Sequence, residues 1–248
     1  MSEILAIALN SMQNDMRQVE HVAMNLANTL TPGYKRQVAA PLSFGTLVEQ
    51  SATSTASHPG QLAGTARTYV DVRPGAMKHT GNNLDLAIDG QGYFEVATAQ
   101  GPAYTRQGDF RVDERGRLVT AQGQAVIGNG GEILLSGAKP RIDRNGNVFD
   151  AADPNAKLPV AQIKLVRFED TGPMTSLGNG LLAPGEGMVQ LGTSDIHLQQ
   201  GYLEGSNVST QQEMVQLMQS ARHFESMQKA IQGYDEAVDT AIRKLGDL

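Results

Sequence analysis

Histidines are the first residues to weigh as acids, bases or metal ligands, and the chain has five: His21, His58, His79, His197 and His223. No two stand at i, i+4 and no H-E-x-x-H occurs, so no helical face presents paired imidazoles to a zinc ion. His21 and His223 fall on predicted helices, away from their main apolar stripes. An interfacial histidine can tune assembly with pH, but the pattern singles none out. Cys is absent, which removes thiol catalysis, thiolate metal sites and disulfides together. Carboxylates crowd one stretch, at Asp85, Asp89, Glu95, Asp109, Asp113 and Glu114. A glycosidase needs two of them facing each other across a cleft. Most stand instead at predicted turns, where Asp caps backbone N–H groups. Asp143-Arg144-Asn145-Gly146-Asn147 resembles a calcium loop in outline, but its Gly is at position 4 instead of 6, and position 12 is Pro154 instead of Glu. The turn is the better reading. Gly128-Asn129-Gly130-Gly131 lies between predicted strands and not before a helix, so it makes no phosphate cradle. Neither G-x-S-x-G nor G-x-x-x-x-G-K-[ST] occurs. The expectation is a protein with no catalytic residue, no metal and no cofactor, and so not an enzyme. A carbohydrate-binding or glycosidase β module is the alternative from another class, and the absence of Trp weakens it.

Composition narrows the partners. With 248 residues the chain can bury one sizeable core or two modest ones. A net charge of −6 argues against nucleic acid. The basic pairs Lys35-Arg36 and Arg243-Lys244 read as solvated loop or helix ends. No run of apolar residues is long enough to cross a bilayer, so no direct membrane insertion is expected. Met1-Ser2-Glu3-Ile4 lacks the features of a cleaved secretory signal. The expectation is a protein that stays in the cytoplasm or leaves by a route that cleaves nothing.

The elements that must carry any function are read from periodicity. Near the N-terminus, Leu5, Leu9, Met12, Met16, Val19, Ala23, Leu26 and Leu30 alternate three and four residues apart. Near the C-terminus, Met214, Leu217, Ala221, Phe224, Met227, Ile231, Tyr234, Val238, Ile242 and Leu245 do the same. That spacing predicts two long helices with narrow seams, over 3–30 and 210–246. Thr31-Pro32-Gly33 stops the first. Ser209 and Gln212 suit a capping box for the second. Between them, short alternating runs punctuated by Asp-Gly and similar turns predict an all-β domain. Arg111–Leu118 and Arg141–Val148 echo each other as strand, Asp-initiated turn, strand, and are expected as similar hairpins in one sheet. Residues 51–66 are small and polar and read as an exposed arm. The fold class is α+β: long N- and C-terminal α-helices forming a coiled-coil-like inner domain, flanking one mainly antiparallel β domain. The expected segments are 1–34 (first helix), 35–80 (extended linker), 81–203 (β domain) and 204–248 (second helix). Helices with seams this narrow favour self-assembly over a closed monomer.

Four stretches then carry a likeness. Asn25-Leu26-Ala27-Asn28 followed by Thr31-Pro32-Gly33-Tyr34-Lys35 resembles the N-terminal signature of bacterial flagellar rod and hook proteins. Asn82–Phe94, Tyr104–Phe110 and Gly201–Val208 resemble later motifs of that family, in family order. At Met24 the family usually has Asn, so no contact of that side chain is carried over. A short chain with one β domain resembles the basal-body rod members, proximal-rod type first and distal-rod type second. The resemblance implies a structural subunit whose terminal helices line a hollow, torque-transmitting shaft and whose β domain faces outward. It implies copies of itself, other rod and axial proteins and the flagellar type III export apparatus as partners. It also implies a place in the basal-body rod crossing the periplasm, reached without a cleaved signal peptide. The implied assembly interface is Leu5, Leu9, Met12, Met16, Val19, Ala23, Leu26, Met214, Leu217, Ala221, Phe224, Ile231, Val238 and Ile242, and the motif residues are Asn25, Asn28, Thr31, Pro32, Gly33 and Tyr34. Pro32-Gly33 would redirect the chain from helix to outer domain, and the 51–66 arm would be a strut between subunits.

Overall fold

A computed structural model describes residues 2–40, 67–137, 139–150, 158–168, 174–185, 187–193 and 195–246. The expected strut over 51–66 lies outside the described residues. The chain forms two compact units: Met1–Ala27 with Val38–Thr68 and Ser209–Leu248, and Asn28–Gln37 with Tyr69–Val208.

The first unit holds both helices, α1 over Ser2–Ala27 and α2 over Thr210–Gly246. The expected pair of long helices joined by a coiled-coil seam is not what forms. The described chain is α+β, but strands are its most numerous elements and its helices are unequal, with 26 residues in α1 and 37 in α2. α1 ends at Ala27 because a turn takes over, with Thr31 N donating to Asn28 O at 3.1 Å and Thr31 Oγ1 to Asn28 Oδ1 at 3.1 Å. This is local side-chain bonding that competes with helix. Leu30, expected on the seam, stands beyond the helix and is 93% exposed. The buried helix positions include Asp15, Val22 and Asn25 on α1, and Glu213 and Ser220 on α2. Met16, Ala23, Met214 and Ala221 are exposed. Neighbouring helix positions are about 100° apart. An apolar stripe alone therefore left open a face one residue away, and polar side chains with partners chose it. The capping box expected at Ser209 and Gln212 does not form, since Ser209 Oγ donates to Gln211 Oε1 at 3.3 Å instead.

The larger unit is built from short antiparallel strands. Its main sheet runs Ser176–Gly178, Leu181–Leu182, Gly101–Thr105, Tyr93–Thr98, Ala125–Gly128, Leu118–Val119, Arg111–Val112. Leu165–Phe168 joins it beside Tyr93–Thr98, with Leu165 opposite Phe94. The core beneath includes Leu86, Phe94, Val96, Leu118, Ile133 and Ile163. Phe94 and Phe110 meet edge to face at 5.0 Å. Leu86–Ile88 reads as an alternating strand but is buried at all three positions, because apolar side chains cover both faces.

Both echoed hairpins form. In each, an Asp oxygen accepts two backbone N–H groups: Arg115 and Arg117 for Asp113, and Asn145 and Asn147 for Asp143. They do not share a sheet, since Arg141–Ile142 and Asn147–Phe149 belong to a separate three-stranded ladder with Ala161–Gln162. Two further ladders bring the end of this unit back to its beginning. Leu198–Gln200 pairs with Leu86–Ile88, and Tyr202–Glu204 pairs with Met77–His79.

Candidate assembly site

The returning strand delivers Glu204 into the interior. Its carboxylate, 2% exposed, takes Lys35 Nζ on Oε1 at 2.6 Å and Arg106 Nη1 on Oε2 at 3.0 Å. Gly75 N also donates to Oε1 at 2.9 Å. Lys35 donates onward to Arg73 O at 2.8 Å, and Arg106 Nη2 to Gly90 O at 2.6 Å. Lys35 was expected in solvent, yet it is 6% exposed. Burial pushes its ammonium below the ordinary lysine value, and the Glu204 charge opposes that shift. One carboxylate thus answers two buried cations, an arrangement that holds only while all three are present.

Backbone contacts tighten the same place. Gly33 N donates to Glu204 O at 2.7 Å. Gly33 has φ +65, and a Cβ there would lie 2.3 Å from the Arg106 carbonyl carbon. Asn207 Oδ1 accepts Arg36 N at 2.7 Å, and its Nδ2 donates to Asp71 O at 2.8 Å. Asn207 N reaches Tyr34 O at 3.3 Å. Members of all four sequence motifs therefore meet here: Gly33, Tyr34 and Lys35 from the first, Gly90 from the second, Arg106 from the third, Glu204 and Asn207 from the fourth. The motifs were legible in the sequence, but their convergence was not. The junction presents bonded, buried charges that clamp these segments together.

Most of the other candidates for chemistry are engaged structurally, while Glu114 is exposed. Asp85 accepts from Asn82 Nδ2 at 2.8 Å and Asp89 from Gln199 Nε2 at 3.0 Å. Lys164 Nζ pairs with Glu95 at 2.7 Å and Arg117 Nε with Asp113 at 2.8 Å. Burial, then the Asp85 charge, raises the Asp109 carboxyl above the usual range, opposed by its backbone hydrogen bond and Arg111. His21 Nε2 shares a hydrogen bond with Thr68 Oγ1 at 3.1 Å, and the His79 ring meets Tyr202 edge-on at 4.8 Å. His197 lends its carbonyl to Asp89 N at 2.8 Å. His58 lies outside the described residues. Among the described residues no group of three His, Asp or Glu side chains could hold a metal, and no helix is long and apolar enough to cross a membrane.

The residues expected at an assembly interface lie on the helix pair. Leu5 and Leu9 stand on α1 and Ile242 on α2. Met12, Val19, Leu26, Leu217, Phe224, Ile231 and Val238 are half-buried. Met16, Val19, Ala221 and Phe224 line an open groove of about 390 Å³ beside the helix contact, with Asp15 and Glu20 at its margin. Met16 is 57% exposed and Met214 50%. The contact itself is polar: Asn25 Nδ2 donates to Glu213 Oε2 at 3.1 Å, and Asp15 Oδ2 meets His223 Nδ1 at 2.7 Å. The reading by apolar period passed over Asp15, Glu213 and His223. No signal singled out Glu213, since it follows the polar run Ser209-Thr210-Gln211-Gln212, and an acidic residue is ordinary in a first helical turn.

Residues 87–152 match the family described as the flagellar hook protein FlgE/F/G D1 domain, and residues 199–244 match the flagellar basal body rod FlgEFG protein C-terminal family. The flagellar basal-body rod protein FlgF of Salmonella typhimurium is 33% identical over 251 residues, covering 95% of each chain. FlgF of Caulobacter vibrioides is 30% identical over 252 residues and covers 100% of each. The rod protein FlgG of Bacillus subtilis is 28% identical over 261 residues, covering 94% of this chain and 96% of its own.

Proposed function

Since the chain belongs to the flagellar basal-body rod protein family and is a structural subunit of the rod, we propose that it is a proximal-rod member of FlgF type. The observation carrying this is alignment length. FlgF relatives align over 247 to 252 residues, against 261 for the FlgG of Bacillus subtilis and 267 for that of Borreliella burgdorferi. The FlgF alignments stay within four residues of this chain's 248, and the FlgG ones exceed it by 13 or more.

In this reading the subunit joins copies of itself and neighbouring rod proteins through the flank of its helix pair. Leu5, Leu9, Met12, Met16, Val19, Ala23, Leu26, Met214, Leu217, Ala221, Phe224, Ile231, Val238 and Ile242 form the interface. The half-exposed methionines and the open groove support it, since fully burying a large apolar side chain contributes about 1.5–3 kcal/mol and covering a half-exposed one roughly half of that. The helices of segments 1–34 and 204–248 then make the inner wall of a hollow torque-transmitting shaft, residues 81–203 face outward, and 35–80 links them. The subunit arrives through the flagellar type III export apparatus without signal cleavage, and the finished rod crosses the periplasm.

Two measurements test the reading. Phe224→Asp or Leu26→Asp should abolish rod assembly and motility while the larger unit stays folded, because a charge packed in an apolar contact is heavily penalised. Normal assembly by both variants would remove the interface. The chain should also restore swimming to cells lacking FlgF, and rescue only of cells lacking FlgG would move it to the distal rod.

A further inference from the structure

The contact between α1 and α2 is held at two polar points. Glu213 is fully buried and Asn25 is 1% exposed where they meet. Ten residues earlier on α1 (25 to 15) and ten later on α2 (213 to 223), Asp15 meets His223. Equal spacing in opposite directions means that the helices run antiparallel and that both ties are made in one register, about 15 Å apart along the axis.

The apolar residues beside these ties do not define that register. On α2, Leu217, Phe224, Met227 and Ile231 are all half-buried and recur every three or four residues, except where Ser220 is buried in their line. A slide of seven residues, roughly 10 Å, would again set apolar against apolar. It would also separate Glu213 from Asn25 and His223 from Asp15 at the same time. A polar pair buried in an apolar contact adds little net stability, but it penalises every arrangement in which it is broken.

We infer that Asn25–Glu213, seconded by Asp15–His223, is a register lock. It selects one pairing of α1 with α2 over slipped pairings. The lock is a property of the single chain and stands apart from the assembly reading.

The chain has no Cys, so introduced pairs report cleanly on dilute full-length protein. Gln18→Cys with Ser220→Cys lies in register, three residues from the Asp15–His223 tie on each helix. Gln18→Cys with Met227→Cys reports a slip of seven. Under mild oxidation the first pair should close within the chain and the second should stay reduced. Adding Asn25→Leu with Glu213→Leu should raise closure of the slipped pair, within or between chains, about tenfold, as a loss of ~1.4 kcal/mol of discrimination gives. Glu213→Gln, which keeps an acceptor for Asn25, should leave the slipped pair reduced. The inference is overturned if the slipped pair stays reduced in the Leu background, or closes as readily in the parent. It is equally overturned if the Leu background closes neither pair, because the residues then serve stability and not register.

Discussion

Glu204 concentrates the most consequence in one side chain. Its removal leaves Lys35 and Arg106 buried with no counter-charge between them. Glu204→Ala should therefore cost about 3–5 kcal/mol, read as a lowered urea midpoint in the tyrosine signal. Glu204→Gln keeps acceptors but not charge and should fall between the parent and Ala. Equal midpoints for all three would show that the cations find other partners. A second residue sets a pH dependence. The Arg117 backbone N–H, with the Arg117 guanidinium and Arg115 N–H, holds the Asp113 carboxyl below its ordinary value of 3.8. A lowered carboxyl favours the folded state above that value and loses the contribution as pH falls through the lowered one. Asp113→Asn should thus be less stable than the parent at neutral pH, with the gap closing below pH 3.8. A gap independent of pH across that range would assign the loss to geometry instead of charge.

Among the elements, the turn after α1 is the least tolerant of change. Gly33 needs φ +65 and has the Arg106 backbone 2.3 Å from where a Cβ would stand, whereas Gly123 has φ +88 and nothing within 4 Å. Gly123→Ala should cost about 1–2 kcal/mol for its left-handed backbone. Gly33→Ala should cost clearly more, because backbone atoms and not a flexible side chain stand in the way. Thermal unfolding of the two variants in parallel checks this ranking. Elements of this kind were legible in the sequence because their causes are local: Pro32-Gly33 ends a helix, and Asp113 or Asp143 shapes a turn within four residues. The Lys35–Glu204 bond was not legible, because its partners stand 169 residues apart and nothing near Lys35 announces burial. The helix seam falls between these cases. Its period was present and its face was misjudged, because an apolar period carries no information about Asp15, Asn25 and Glu213, whose partners lie across the helix contact.

For the molecule as a whole, the two compact units separate their signals conveniently. Both helices belong to one unit together with Tyr234, while the other five tyrosines, Tyr34, Tyr69, Tyr93, Tyr104 and Tyr202, belong to the other and dominate the tyrosine signal. Glu204→Ala should move the tyrosine transition and leave the helical circular dichroism in place. Asn25→Ala should do the reverse, and a variant that shifts both signals together would mean the units unfold as one. The motif junction has one more consequence. The chain returns to the larger unit at Tyr69 and leaves it at Val208, and beside these two points Asp71 and Asn207 are bonded to each other, with Asn207 Nδ2 donating to Asp71 O at 2.8 Å. Everything threaded between them is a cassette on a fixed clasp. Its outer loops can lengthen, shorten or carry a spliced-in foreign domain without changing the distance between its two anchor points, which is the condition for natural size drift and for tagging the subunit from the outside.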